Sequence, residues 1–97
     1  MEKIESISIK FSNKKNNKYA KFGGFVGEEN SSFNQFGDFR SDFAFNEYSN
    51  KESFSKAILR YVNNPNAVLE RLTINDDIFT NADYNLFRMT ILEDKEL

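Results

Sequence analysis

The sequence contains no cysteine, no histidine and no tryptophan, and only one proline, in 97 residues. Without cysteine the chain has neither a disulfide bond nor a thiolate nucleophile. Without histidine it lacks the side chain that most often acts as a general base near neutral pH. A zinc site would need carboxylate ligands alone, which is uncommon. The composition therefore predicts a protein that is not an enzyme and that binds neither a metal ion nor a cofactor.

No local motif replaces these missing groups. Gly23 and Gly24 lie in a predicted strand and do not precede a helix, as the glycines of a phosphate-binding loop do. The adjacent acids Asp76 and Asp77 fit a solvated turn better than a catalytic pair, and the ligand spacing of a calcium loop is absent.

Long apolar segments are also missing. No run approaches the roughly 18 apolar residues that a membrane-spanning helix needs, and the opening residues Met-Glu-Lys-Ile-Glu lack the apolar stretch of a signal peptide. We therefore expect a cytoplasmic protein that does not bind a membrane. Its length predicts one domain, residues 1–97, and its eleven Phe and four Tyr can supply much of one core.

The net charge of −2 is unevenly distributed along the chain. Residues 1–25 carry a net charge of +4 and residues 51–75 carry +2, whereas residues 26–50 and 76–97 each carry −4. This pattern predicts a basic end and an acidic end. It is typical neither of a strongly basic DNA-binding protein nor of an acidic DNA mimic.

Hydrophobic alternation at the start of the chain predicts a β-hairpin. Residues 4–12 place Ile7 and Ile9 on one face and polar side chains on the other, as in a half-buried strand. A polar turn over 13–18 leads into a second predicted strand, 19–26. The two strands are expected to pair in antiparallel fashion.

Two further strands and a loop are predicted from the same alternation. Residues 27–37 are polar and contain glycine, which indicates a loop, and residues 38–48 indicate a third strand. Residues 84–92 indicate a last strand. One face of these strands would carry Phe39, Phe43 and Phe45 in the third, and Phe87, Met89 and Ile91 in the last.

Two helices are expected between these strands. Ser49 and Glu52 fit a capping box and predict a helix over 50–63, with a second, short helix opening at Pro65. The order β-β-β-α-α-β predicts an α+β fold, in which one long and one short helix pack on one face of a curved antiparallel sheet. The inward positions would be Phe54, Ala57, Ile58, Tyr61 and Val62 in the first helix and Leu69 and Leu72 in the second.

The second predicted strand interleaves basic and aromatic residues. Its segment Lys-Phe-Gly-Gly-Phe-Val, residues 21–26, resembles the aromatic-basic strand of RNA-recognition and cold-shock domains. In those families exposed rings stack on bases and lysines contact phosphates. Their order is Lys-Gly-Phe-Gly-Phe-Val, so Phe and Gly are transposed here, and the predicted helices do not match either fold; we assign neither family. The resemblance implies single-stranded nucleic-acid binding by Lys14, Lys15, Lys18, Tyr19, Lys21 and Phe25. The alternative is a glycine-containing strand whose rings pack in the core.

Aromatic residues in the predicted loop suggest a different partner. Phe33 and Phe36 stand among Ser, Asn, Gln and Gly, and rings presented by a polar loop are common anchors of protein interfaces. The alternative is that both rings fold back under the loop. The candidate protein interface comprises Phe33, Phe36, Asp38, Arg40 and Asp42.

These observations rank three functional hypotheses. The first is a small non-enzymatic module that binds a larger protein and inhibits or regulates it. Abundant Asn, and more Lys than Arg, suggest an AT-rich genome such as that of a low-GC bacterium or its phages, whose anti-CRISPR and toxin-immunity proteins share this general character. The second hypothesis is single-stranded nucleic-acid binding, and the third is an accessory subunit of a larger assembly.

Overall fold

The computed structural model describes residues 5–27 and 29–79, which form an antiparallel sheet of six strands and one helix. The bounds are β1 Ser6–Asn13, β2 Tyr19–Val26, β3 Ser31–Phe36, β4 Phe45–Tyr48, α1 Lys51–Val62, β5 Ala67–Ile74 and β6 Asp77–Phe79. The strand order across the sheet is β4-β3-β2-β1-β5-β6. The predicted antiparallel sheet with a helix is confirmed, whereas the predicted sequence of elements is not.

The first hairpin has the predicted form. β1 pairs with β2 in antiparallel register, with Ile9 opposite Phe22 and Lys10 opposite Lys21. The alternation of apolar and polar residues that predicted β1 is also its burial pattern, because Ile7 and Ile9 are buried. β1 is central in the sheet, since it pairs with β2 on one side and with β5 on the other.

The prediction of a loop over 27–37 is wrong, because residues 31–36 form strand β3 beside β2. The chain reverses in a tight turn in which the amide of Gly27 donates to the carbonyl of Asn30 at 2.7 Å. Ser, Asn and Gln have weak strand preference, so composition alone indicates a loop. Pairing with β2 and burial of Phe33 and Gln35 on the helix side stabilise the strand instead.

The prediction of a third strand over 38–48 is correct only for its last four residues, which form β4. Gly37 has a φ of +84°, and the side chain of Asp38 accepts from the amides of Arg40 and Ser41, each at 2.7 Å. An Asp that binds the amides following it favours a turn over a sheet ladder. The alternating aromatic pattern of this segment therefore spans a loop and a strand.

The predicted long helix is present as α1, and its N-cap lies one residue later than expected. The side-chain oxygen of Asn50 accepts from the amide of Ser53 at 2.8 Å, so Asn50 and not Ser49 is the cap. Asn has the same capping chemistry as Ser, and the sequence offers both side by side. Phe54, Ala57 and Ile58 of the predicted apolar stripe are buried against the sheet.

The predicted second helix is wrong, because residues 67–74 form strand β5 along β1. The three-residue spacing of Leu69 and Leu72 suggested a helix. In the sheet, Leu69 is opposite Phe11, while the register shifts by one residue before Arg71. A β-bulge at Glu70 adds one residue, so both leucines reach the same face of the sheet although they are three apart.

Aromatic contacts dominate the core between α1 and the sheet. The ring of Tyr61 stacks on Phe11 with centroids 5.7 Å apart and meets Phe22 edge-on at 5.4 Å. Phe54 lies 6.0 Å from Phe22 and 5.3 Å from Phe33. One face of the sheet is thus closed by the helix.

The predicted strand over 84–92, with Phe87, lies outside the described residues. In the part of the chain that the structure describes, no helix is long and apolar enough to cross a membrane.

Candidate functional site

The sheet face opposite α1, which we call the open face, carries a row of residues paired in register across five strands. Phe45 in β4 is opposite Phe36 in β3, which is opposite Lys21 in β2. Lys21 is opposite Lys10, and Lys10 is opposite Arg71 in β5. Since partners in register share one face of a sheet, two rings and three cations lie side by side.

The aromatic part of the open face is accessible to solvent. Phe25, Phe36 and Phe45 have 55%, 48% and 58% of their surface exposed. Phe36 and Phe45 make an edge-to-face contact with ring centroids 6.5 Å apart, whereas Phe25 lies near the other end of β2. Phe36 and Phe45 thus form a small exposed apolar patch across β3 and β4, a feature common in binding surfaces.

The basic part of the open face concentrates like charges. Lys10 has Lys21 on one side and Arg71 on the other, and like charges directly opposite each other destabilise a sheet. Among residues 5–27 and 29–79, Lys56 forms an ion pair with Glu52, and no carboxylate forms one with these three cations. An anionic ligand would relieve the repulsion between them.

Three other side chains bear on the charge of the open face. The ammonium of Lys10 lies 5.0 Å from the ring centroid of Tyr19, an attractive cation–π geometry. Glu70, at the bulge beside Arg71, accepts from the hydroxyl of Ser12 at 2.6 Å. Glu47 lies at the outer end of the next row, opposite Asn34.

The turn between β1 and β2 extends the basic surface beyond the end of the sheet. It carries Lys14, Lys15 and Lys18, of which the first two are exposed. Its backbone is held by side-chain amides, since Asn13 accepts from the amide of Lys15 and Asn16 from that of Lys18, each at 2.9 Å. The six residues predicted for nucleic-acid binding therefore fall on one hairpin, and Lys21 and Phe25 project on the open face.

The five residues predicted as a protein interface do not form one exposed surface. Phe33 is only 7% exposed and packs against Phe54, so it belongs to the core. Phe36 is exposed on the open face. Asp38 and Asp42 bind backbone amides, Asp42 accepting from Tyr19 at 3.2 Å.

Hydrogen bonding from the amide of Arg40 holds the pKa of Asp38 below its ordinary value. Arg40 itself lies on the helix side of the sheet. The two acids thus stabilise the turn between β3 and β4. The remaining exposed residues of the predicted interface, Phe36 and Arg40, lie on different sides of the sheet.

A polar cleft lies beside Arg40, between the C-terminal half of α1 and β3–β4. Its floor is a hydrogen-bonded group around Gln35, which is 4% exposed. Gln35 accepts from the hydroxyl of Tyr48 at 2.7 Å and donates to Tyr61 at 3.1 Å and to the carbonyl of Gly37 at 2.9 Å. Burial raises the pKa of both tyrosines, so they remain neutral hydrogen-bonding groups that fix the sheet edge to the helix.

Sequence reasoning missed Phe45 and Arg71 as members of the open face. Arg71 fell in a predicted helix, and the bulge that places it opposite Lys10 has no distinctive sequence signal. Phe45 was predicted in a strand, but on the same face as Phe39, which in fact packs edge-on against Tyr61 at 4.8 Å. Lys21 and Phe25, in contrast, were among the residues that the resemblance implied for nucleic-acid binding, and both lie on the open face.

Comparison with known proteins supplies no assignment. No protein-family description matches the chain, and neither a curated protein nor a solved structure shows significant similarity to it. Within residues 5–27 and 29–79, no cluster of three or more acidic side chains could hold a metal ion. The chemistry of the open face is therefore the basis for a functional proposal.

Proposed function

We propose that this protein binds single-stranded nucleic acid on the open face of its sheet. The observation that supports the proposal most strongly is the row Phe45–Phe36–Lys21–Lys10–Arg71, in which two exposed rings continue directly into three cations. A single strand offers two complementary features, bases that stack on rings and phosphates that attract cations.

Stacking accounts for the rings. Phe25 and Phe36 lie on neighbouring strands about 13 Å apart along the strand direction, because Phe36 is opposite Lys21 and Lys21 is four residues from Phe25. Each ring offers a flat surface to one base. Base–aromatic stacking contributes about 1–3 kcal/mol per base and tolerates any sequence.

Phosphate contacts account for the charge. Lys10, Lys21 and Arg71 lie beside the rings, and Lys14 and Lys15 continue the basic surface at the hairpin turn. A strand that runs across the sheet from β4 towards β5 would meet rings first and cations next. Since the whole chain has a net charge of −2, this affinity is local and should depend strongly on salt.

The test is the affinity of the full chain for a fluorescent oligodeoxythymidylate about 12 nucleotides long, a length within the usual site sizes of single-strand binders. The double variant Phe25→Ala, Phe36→Ala should lose about 2–6 kcal/mol of binding free energy, because two stacking surfaces are removed. The matched control is Phe43→Ala, which removes a ring that is 88% exposed in the loop before β4, outside the strands that form the open face. Equal binding by the double variant and the control would refute the proposal.

A protein partner is the second candidate, and one observation favours it. Phe43 is exposed just before the edge strand β4, and Phe45 is exposed at its first residue. Among the described residues, β4 has a neighbouring strand on one side only. Rings beside an unpaired strand edge suit a partner that adds a strand. In that case the protein would act as an inhibitor, a regulator or an accessory subunit, and Phe43→Ala would weaken capture of its partner while Phe25→Ala would not.

A further inference from the structure

Gly23 lies in the middle of β2 without a packing reason to be glycine. A Cβ placed on it meets no atom within 4 Å, and it is not among the residues with positive φ. Glycine in the interior of a strand weakens the strand, because it contributes no side chain to the sheet and loses more backbone freedom on folding.

Its neighbour Gly24 shows what a structural requirement looks like in the same strand. A Cβ on Gly24 would lie 2.8 Å from the ring of Phe54 and 3.1 Å from Ile7, so the core excludes a side chain there. Gly24 faces the helix and Gly23 faces the open side. Packing of the core therefore requires glycine at residue 24, whereas no contact within the described fold requires it at residue 23.

The residues around Gly23 suggest another reason for glycine at this position. On the open face Gly23 lies between Lys21 and Phe25 along β2, and its partners across the sheet are Ser8 and Asn34. Together with Phe36 these residues line a shallow depression. Its floor is the bare peptide of Gly23, its two ends are aromatic, and its sides are polar.

We propose that the Gly23 peptide is the floor of a base-binding subsite, with a base of a single strand lying between the rings of Phe25 and Phe36. This inference rests on the proposed function and adds a third base-binding position to the open face, beside those at the two rings. Close approach of a ligand to backbone is one of the roles of glycine within a strand. Any side chain at residue 23 would occupy the depression, and Lys21, two residues along β2, is placed to meet the adjoining phosphate.

The experiment compares Gly23→Val with the wild-type chain in two measurements, the thermal unfolding midpoint and the affinity for the same fluorescent oligodeoxythymidylate. Valine favours strands and meets empty space, so the unfolding midpoint should stay level or rise. Affinity should fall by about 10-fold or more, comparable to the loss of one stacked base. Thr73→Val is the matched control, since it changes a residue of the same row two strands away, beyond Ser8.

The outcomes separate the two proposals. Suppose that the wild-type chain binds the oligonucleotide and that Gly23→Val binds it with an affinity within about two-fold of the wild type. This loss is well below that expected for one stacked base, so the subsite is refuted and the proposed function stands. If the wild-type chain does not bind, the proposed function fails and the subsite fails with it. A Gly23→Val chain that does not fold would show that the fold itself requires this glycine, which also overturns the inference.

Discussion

The two faces of the sheet use the same residue type in opposite ways. On the helix side Phe11, Phe22 and Phe54 are at most 2% exposed and contact one another or Tyr61 through their rings. On the open side Phe25 and Phe36 are about half exposed. A ring buried among rings stabilises the fold, whereas a ring half exposed to water contributes less to it. This contrast is why we propose the open face, and not the helix side, as a binding surface.

The largest expected effect is the loss of a helix-side ring. Phe54→Ala should lower the free energy of unfolding by about 3–5 kcal/mol, because it empties a site surrounded by Phe22, Phe33 and Tyr48. Phe25→Ala, the matched change on the open face, should cost about 1 kcal/mol or less. Urea denaturation of both variants measures the difference. Similar losses from the two would mean that the faces are not distinct.

A smaller effect is expected from the buried polar group that joins the sheet edge to the helix. Tyr48→Phe removes a hydroxyl that donates to Gln35 at 2.7 Å and leaves the buried amide oxygen of Gln35 without that donor. The cost should be about 1–3 kcal/mol, the usual penalty for an unsatisfied buried polar atom. An unchanged denaturation midpoint would show that Gln35 does not depend on Tyr48.

The smallest expected change in stability has the opposite sign. Lys21→Gln should raise the free energy of unfolding by a few tenths of a kcal/mol at low salt, since it removes a like-charge pair with Lys10 across β1 and β2. The gain should vanish in about 1 M salt, which screens exposed charges. The same variant should reduce the dependence of oligonucleotide binding on salt by about 0.7 in the log–log slope. Destabilisation by Lys21→Gln would show that this lysine serves the fold.

Hydrophobic patterns within single segments predicted the first hairpin and the helix. Alternation gave β1 and β2 at nearly their observed bounds, and the apolar stripe gave α1. Strand β3 could not be predicted in this way, because Ser, Asn and Gln form a strand only when β2 lies beside them. Strand β5 was missed since the bulge at Glu70 converts a strand pattern into the three-residue spacing of a helix.

The candidate site was predictable to the same extent. The resemblance of residues 21–26 to an aromatic-basic strand implied Lys21 and Phe25, and the hairpin turn followed from its composition. Phe36 and Phe45 join them through the register of two successive hairpins, and Arg71 joins them through pairing of β1 with β5, which is distant in sequence. Whether a ring such as Phe33 or Phe36 faces the core depends on that register, which a segment read alone does not contain.

We propose that the open face, and not the helix side, binds single-stranded nucleic acid. Backbone amide spectra of the labelled chain, recorded during titration with oligodeoxythymidylate, test it residue by residue. We expect the largest chemical-shift changes at Lys10, Lys21, Gly23, Phe25 and Phe36, and unchanged signals from the amides of α1. No shifts at saturating oligonucleotide, or shifts confined to α1 and the cleft around Arg40, would contradict it.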